Sequence, residues 1–551
     1  MRARLFLRRE QSILLSLRPR SICARSYANQ TKSTCTSTKA RPSLPFLLVP
    51  KASPSIVRSF TSERKRWFKH EAKLVARYTI TIWGLAICGI LIFFAVNEET
   101  SEREFPTPHE WHYLTRKFLR DAQSCRDPKD GEINWARCLE LSRGVVIRLE
   151  DPKLGGDKVV KLSDKVDSSL EVPGEFINCD ISNMSEDWRR GYFEAIMLAA
   201  KSAEHVDGWL RDTKRNVVCA PEFVVGPSNP RPKPIPPGRP HAPREEDCEQ
   251  AYPVADNWYM KILATTGLSP RQKMEAALEY ATFMEFKHRQ EGIDALYSLA
   301  LAEASTGLDP SKLPYDVKTF VLKDDSPPPS MNVLDTLTAI ANYKARQGDI
   351  SSALPIYISL LKARRSLPDS PPPTTRSQPK TDSTYERLVK FFGPPAYPAP
   401  GPDGTHVPWR TPFQRCQEAS LNLYIGEILY ASSSRGEGLA WTRDGVDLAE
   451  EQLRTLGAAS NDKEAKQTCR ECLGTGLDNW KTMVSRLARA EEARSTGGST
   501  SSLFSFWGES QDAQGRWAAE EAAVEERIRR TRELMEDVTP PNMGLLSYFK
   551  A

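Results

Sequence analysis

Residues 341–361 read ANYKARQGDISSALPIYISLL. Leu337, Ile340 and Ala341 share one helical face before Gly348-Asp349. After it, Ile350, Ala353, Leu354, Tyr357, Leu360 and Leu361 recur at amphipathic helical spacing. A Gly in a helix interior costs roughly 1 kcal/mol against Ala. Gly348-Asp349 therefore reads as the turn between two packed helices, not as a flaw in one. Pro355 is the difficulty. It is tolerated near a first turn, which requires the second helix to begin at Ser351 or Ser352.

Similar pairs recur along the chain. Residues 271–290 precede 291–307, residues 331–347 precede the second half of the opening stretch, 413–433 precede 437–453, and 462–495 read as a last pair. Pro-rich inserts at 327–329, 368–373 and 394–412 separate them. Repeated helix pairs predict an α-solenoid. The opening hairpin resembles the tetratricopeptide (TPR) repeat. It has a small residue in the first helix (Ala341), the Gly348-Asp349 turn, a second small residue twelve positions on (Ala353), and an aromatic four later (Tyr357). The small residues let the helices approach, and Tyr357 fills the gap to the next repeat. In the flanking pairs the spacing is stretched by two residues, from Ala281 to Ala295 and from Gly426 to Ala440. On this alignment Asp335, Thr338, Asn342 and Ala345 face a peptide groove, where Thr338 and Asn342 can hydrogen-bond an extended chain. A plain solvated face is the alternative.

The chain has 551 residues and a net charge of +5. Residues 1–77 hold eighteen Lys/Arg against three acids, a balance of +15, so the remainder carries −10. Residues 1–60 are Arg-rich, Ser-rich and acid-poor, as in a mitochondrial presequence. Residues 61–77 form a basic flank to the uncharged run 78–96, which is long enough for one transmembrane helix. Acids follow it at Glu98, Glu99, Glu102 and Glu104. The positive-inside rule then predicts a single-pass protein of the mitochondrial inner membrane, N-terminus in the matrix and body in the intermembrane space.

Beyond the span, 105–215 reads as helical with a loop at 151–179. Residues 219–253 form a Pro-rich connector, with ten prolines between Pro221 and Pro253, either a linker or a strap along the body. Helical repeats fill 258–494, a flexible linker 495–515, and a C-terminal helix 516–538. That helix carries a stripe of Trp517, Val524, Ile528 and Met535 and the pairs Glu525–Arg529 and Glu526–Arg530. The fold class expected is all-α: a single transmembrane helix plus a TPR-like α-solenoid with Pro-rich connectors.

No catalytic, cofactor-binding or metal constellation stands out. His109 and His112 in HEWH lack the HExxH spacing, and GTGLDN at 474–479 has no preceding strand. Cys469 and Cys472 have CxxC spacing without a second pair, so core packing is favoured over redox chemistry. Cys125 with Cys138, or Cys219 with Cys248, are candidate disulfides. The acidic body argues against nucleic acid. The expectation is a protein that is not an enzyme, has no cofactor and holds protein partners.

The basic head, the apolar run, FPTPHEW at 105–111, WRRGYFEAIMLAAKSAEHVDGW at 188–209 and GPSNPRPKPIPPG followed by APREEDCE together resemble the TPR-containing adaptor of the fungal mitochondrial i-AAA protease. The resemblance covers most of the chain after residue 60. It implies protein quality control, with AAA protease subunits and unfolded client polypeptides as partners and the membrane reached through one helix. Alternatives are an import receptor or assembly factor of a mitochondrial membrane, or a membrane-anchored enzyme with an unrecognised site.

Overall fold

A computed structural model describes residues 62–128, 133–161, 176–235, 242–309, 312–324, 326–370, 397–432, 434–457, 462–497 and 515–535. The expected presequence, 1–60, and residues 498–514 of the expected 495–515 linker lie outside the described residues. The chain divides into two units, Met1–Cys88 and Gly89–Ala551, with the boundary inside the first helix.

That helix, α1 (Ser62–Glu104), runs unbroken through the basic flank and the apolar run. Ile80, Trp83, Leu85, Phe93 and Phe94 are exposed along it. Among the described residues it is the one helix long and apolar enough to cross a membrane.

In the second unit the end of α1 is tied to α2 (Tyr113–Arg126). Glu102 is almost fully buried, and so is Arg120, which pairs with both Glu98 and Glu102. Arg116 Nη2 lies 2.9 Å from Glu102, and Thr107 donates to the same carboxylate from its backbone and its hydroxyl. The FPTPHEW stretch thus has structural reasons for its residues. Trp111 sits edge-on to Trp188, and a Cβ on Gly191 would lie 2.6 Å from Pro108 and Trp111. Trp188 and Gly191 belong to α4 (Glu186–His205), which follows α3 (Trp135–Leu149). Ser185 caps α4 by accepting from the Trp188 N–H at 3.2 Å.

The loop expected at 151–179 contains one short antiparallel pair with the residue beyond it, β1 (Val160–Lys161) with β2 (Cys179–Asp180). A second small sheet has the order β4 (Val217–Cys219), β3 (Leu210–Asp212), β5 (Cys248–Gln250). β5 comes from the Pro-rich 219–253 region, in its proline-free stretch 244–250, where every residue keeps an N–H for the ladder. The described part of that region folds on itself: Asn229 Nδ2 donates to the carbonyls of Pro221, Glu222 and Val224. Cys219 and Cys248 do not pair. Their strands flank β3 on opposite sides, about 9–10 Å apart by strand spacing. Cys125 and Cys138 are also free thiols.

The solenoid continues with α5 (Ala255–Ala264), α6 (Pro270–Phe286), α7 (Ile293–Ala304), α8 (Met331–Arg346), α9 (Ile350–Arg365), α10 (Pro412–Ala431) and α11 (Arg435–Leu456). Each helix packs on the next, and first helices of successive pairs also touch: α4 on α6, α6 on α8. This neighbour-plus-next packing makes the body an α-solenoid. A tyrosine stack marks each junction between pairs. Tyr259 stacks on Tyr280 at 5.1 Å, Tyr297 on Tyr343 at 5.0 Å, and Tyr357 on Tyr424 at 5.5 Å. α10 separates two cores. Leu421, Ile425 and Ile428 face α9, while Cys416, Ala419 and Leu423 face the helices that follow.

Three expectations are corrected here. The stretched spacing in the outer pairs is wrong, because Ala295 and Ala440 face solvent while Ile293 and Gly438 are buried. Gly438 lies twelve residues after Gly426, the same interval as Ala341 to Ala353, and the two glycines bring α10 and α11 into backbone contact. Residues 462–495 are also not a pair but one helix, α12 (Lys463–Gly497). Its glycines serve close approach: a Cβ on Gly476 would lie 2.6 Å from Val446 Cγ2. Cys469 of α12 forms a disulfide with Cys416 of α10, and Cys472 lies one turn on, 3.5 Å from the Cys416 carbonyl. The last helix, α13 (Arg516–Met535), packs on α11 and α12 with Val524 fully buried, so it caps the solenoid. In place of the expected i,i+4 pairs, Glu526 pairs with Arg529 at i,i+3 and Glu525 pairs with Lys481 of α12.

Candidate functional site: the first-helix face and its strap

α8 opens at Ser330, whose hydroxyl accepts from the Val333 N–H, and stops at Gly348, which has φ +82°. That left-handed backbone is the reason a glycine ends the helix. Asp349 caps α9 by accepting from the Ser352 N–H at 3.2 Å and the Ser351 hydroxyl at 2.8 Å. Hydrogen bonds from Ser352 and then Ser351 hold its carboxyl below the usual range. α9 therefore begins at Ile350, earlier than the repeat reading requires, and Pro355 falls in its second turn. The missing N–H leaves the Ser351 carbonyl without its helical donor. Ser351 and Pro355 are both exposed, so water can take that place.

The residues assigned to a peptide groove are engaged inside the solenoid. Asp335 Oδ1 lies 3.3 Å from the fully buried Arg364 of α9, and Arg364 also donates to Gln414 of α10. Burial pushes the Asp335 carboxyl up, opposed by the Arg364 charge. Thr338 donates to the Leu334 carbonyl at 2.7 Å, and Asn342 accepts from the Tyr357 hydroxyl at 2.6 Å. Ala345 packs against the main core, while Ala341 and Ala353 are fully buried between the paired helices. The middle of α8 thus spends Asp335 and Asn342 on α9 and Thr338 on its own backbone.

The accessible part of this face is at the N-terminal ends of α4, α6 and α8. There the chain itself crosses them. Between Arg365 and Pro412 lie 46 residues, where helix pairs need roughly two to eight. The described end of this insert, from Tyr397, forms a strap. Arg190 of α4 donates to the Pro398 carbonyl at 2.9 Å and sits 4.9 Å from the Tyr397 ring, in cation–π geometry. Asn332 of α8 donates from its side chain to the Asp403 carbonyl at 2.9 Å and from its backbone to the Gly404 carbonyl at 3.1 Å. The Met331 N–H bonds the His406 carbonyl at 3.3 Å. Met331 and Asn332 are the first two residues of α8, so strap carbonyls serve N–H groups that no helix can satisfy internally. Arg271 of α6 donates to Asn332 Oδ1 at 3.1 Å. Gly404 has φ +68°, and a Cβ there would overlap Asn332 Oδ1. Residues 398–403 between these anchors are exposed.

Under the strap is a cleft of about 410 Å³, walled by Arg189, Glu194, Arg271, Glu275 and Tyr397 among others. Burial holds the Glu194 and Glu275 carboxyls above their usual range, and burial together with Glu194 pushes the Tyr397 phenol up to about 12. Arg189 donates to the Gly267 carbonyl at 2.9 Å, and its Nε is buried without a partner. Among the described residues no three His, Cys, Asp or Glu side chains gather as a metal site. The arrangement holds an extended segment of the chain itself. Sequence reading gave the strap role to 219–253 as one option and treated 394–412 only as a separator. The length of the later insert was the available signal.

No family model matches the chain, and no curated protein matches it. A solved structure described as the hypoxic regulator of sterol synthesis Nro1, a nuclear import adaptor, aligns with 74% of this chain and 91% of its own at 11% identity and a TM-score of 0.25. At that score the likeness carries no argument.

Proposed function

We propose that this chain is a membrane-anchored, TPR-like scaffold that binds a mitochondrial AAA protease and helps deliver unfolded client polypeptides to it, without a catalytic step of its own. The observation that carries this reading is a helix-pair solenoid whose first-helix ends hold extended polypeptide, on a chain that also has an exposed apolar helix of membrane-spanning length. In this reading α1 crosses the inner membrane with its basic flank in the matrix and the body in the intermembrane space. The Cys416–Cys469 disulfide favours such an oxidising compartment over the cytosol or matrix.

Crosslinked pull-downs of the detergent-solubilised protein test the partner: a membrane-bound AAA protease is expected to co-purify, and its repeated absence would sink the adaptor role. Import into isolated mitochondria tests the placement. The body should be protected from added protease until the outer membrane is ruptured, and protection that persists after rupture would overturn it.

A further inference from the structure

We propose that the first-helix ends of α4, α6 and α8 form a binding groove for an extended partner segment with an aromatic residue and, seven positions on, a glycine, and that Tyr397–Gly404 occupies this groove in cis until such a segment displaces it. The proposal deepens the scaffold reading and rests on it.

Each requirement follows from a contact. Arg190 holds the Tyr397 ring, which calls for an aromatic side chain at one end. Asn332 Oδ1 leaves no room for a Cβ at position 404 and the backbone there is left-handed, which calls for glycine at the other. Between them the solenoid reads main-chain carbonyls at 398 and 403, which any extended residue supplies. Displacing the strap uncovers the N–H of Asn332, which is 1% exposed. An incoming segment must bring a carbonyl of its own to that donor, because a buried unpaired N–H is costly. A helical ligand has its carbonyls already engaged, so the groove selects extended chain.

The resident strap is suited to exchange. Its hydrogen-bonded anchors are at the ends, at 398 and 403–406, and residues 399–402 between them are exposed. Segments with few buried contacts are those that open first.

The test uses the full-length chain in detergent and a fluorescent synthetic peptide of residues 397–408. Because a tethered strap competes at high effective concentration, a chain with 397–404 replaced by Gly/Ser should bind the peptide at least about tenfold more tightly than the intact chain. In the same background Arg190→Ala should abolish the gain, as should a peptide carrying Tyr397→Ala. A strap-replaced chain that melts as the intact chain does, yet shows no gain, overturns the proposal. If that replacement misfolds, Tyr397→Ala in the intact chain decides. Hydrogen exchange should rise at 399–406 with α4, α6 and α8 unchanged; a rise in all three helices would make the strap part of the fold and end the proposal. Peptide binding without AAA protease co-purification would sustain the groove and sink only the partner assignment.

Discussion

Gly436 and Gly438 sit two residues apart near the start of α11 and look alike in sequence. Their substitution by alanine should have opposite effects. A Cβ on Gly438 would overlap the Tyr430 backbone nitrogen and lie 2.6 Å from the Gly426 carbonyl oxygen and 2.7 Å from Tyr430 Cα. All three are main-chain atoms of α10, and none can rotate away. Ordinary contact needs about 3.4 Å or more, so α11 must move by roughly 1 Å, and overpacking of this kind costs about 1–3 kcal/mol. Alanine's higher helix propensity returns at most about 1 kcal/mol. With backbone as the obstacle the cost sits at the upper end, for a net loss of about 2 kcal/mol. A Cβ on Gly436 meets nothing within 4 Å, so Gly436→Ala should be neutral or slightly stabilising. Long helical arrays do not unfold in one step, so the readout is local. Hydrogen exchange of α10 and α11 amides should quicken about thirtyfold in Gly438→Ala, each tenfold corresponding to about 1.4 kcal/mol. Equal exchange in the two variants would refute the claim that these helices meet backbone to backbone.

Three other outcomes are expected. Arg120→Met keeps the packed stem but leaves Glu98 and the buried Glu102 without their main cation. With Arg116 still at 2.9 Å the loss should be about 3 kcal/mol, seen as earlier melting or faster exchange at the α1–α2 junction. Burial raises the Glu204 carboxyl from its ordinary 4.5 to about 7, against the hydrogen bond from Tyr259. Between those values the folded state holds a proton that the unfolded state has released, so this group's contribution is full below 4.5 and is lost as pH rises through about 7. Melting temperatures at pH 5 and 7.5 should differ less in Glu204→Gln; an unchanged difference would remove Glu204 from the pH response. Reduction of Cys416–Cys469, which closes a loop of sequence separation 53, should cost about 4 kcal/mol by loop entropy. Thiol alkylation with intact-mass measurement before and after reductant, followed by melting, checks both the bond and its effect.

Periodicity made the helices legible, because a buried stripe repeats every three or four residues whatever the tertiary context. The Gly348-Asp349 turn was legible for the same local reason: a left-handed glycine followed by a capping acid is a short-range device. Spacing between helices was less so. Ala295 and Ala440 matched a small-residue pattern, yet the packed positions are Ile293 and Gly438, since composition does not say which of two nearby residues faces in. Residues 462–495 read as a pair, yet the chain stays helical through GTG at 474–476, where α11 lies close enough to require glycine at 476. The groove failed for a related reason. Thr338 and Asn342 sit on helix faces that could have been free, yet Thr338 turns back onto the Leu334 carbonyl of its own helix and Asn342 is taken by Tyr357 of α9.

The strap lay beyond sequence reading because its contacts join residues as far apart as Arg190 and Pro398. Its composition nonetheless has a physical match to its position. Pro398, Pro400 and Pro402 remove three N–H donors from the eight residues 397–404 while leaving every carbonyl. The segment is therefore rich in acceptors. The surface it meets offers donors: Arg190, the Asn332 side-chain amide, and the first N–H groups of α8, which no helix can satisfy by itself. A donor-rich surface and an acceptor-rich extended chain complement each other without any particular side chain on the extended chain. Side chains enter only at the ends, through Tyr397 and the absent Cβ of Gly404. In the proposed groove the main-chain carbonyls thus favour any extended chain, while the aromatic ring on Arg190 and the glycine on Asn332 decide which extended chain binds.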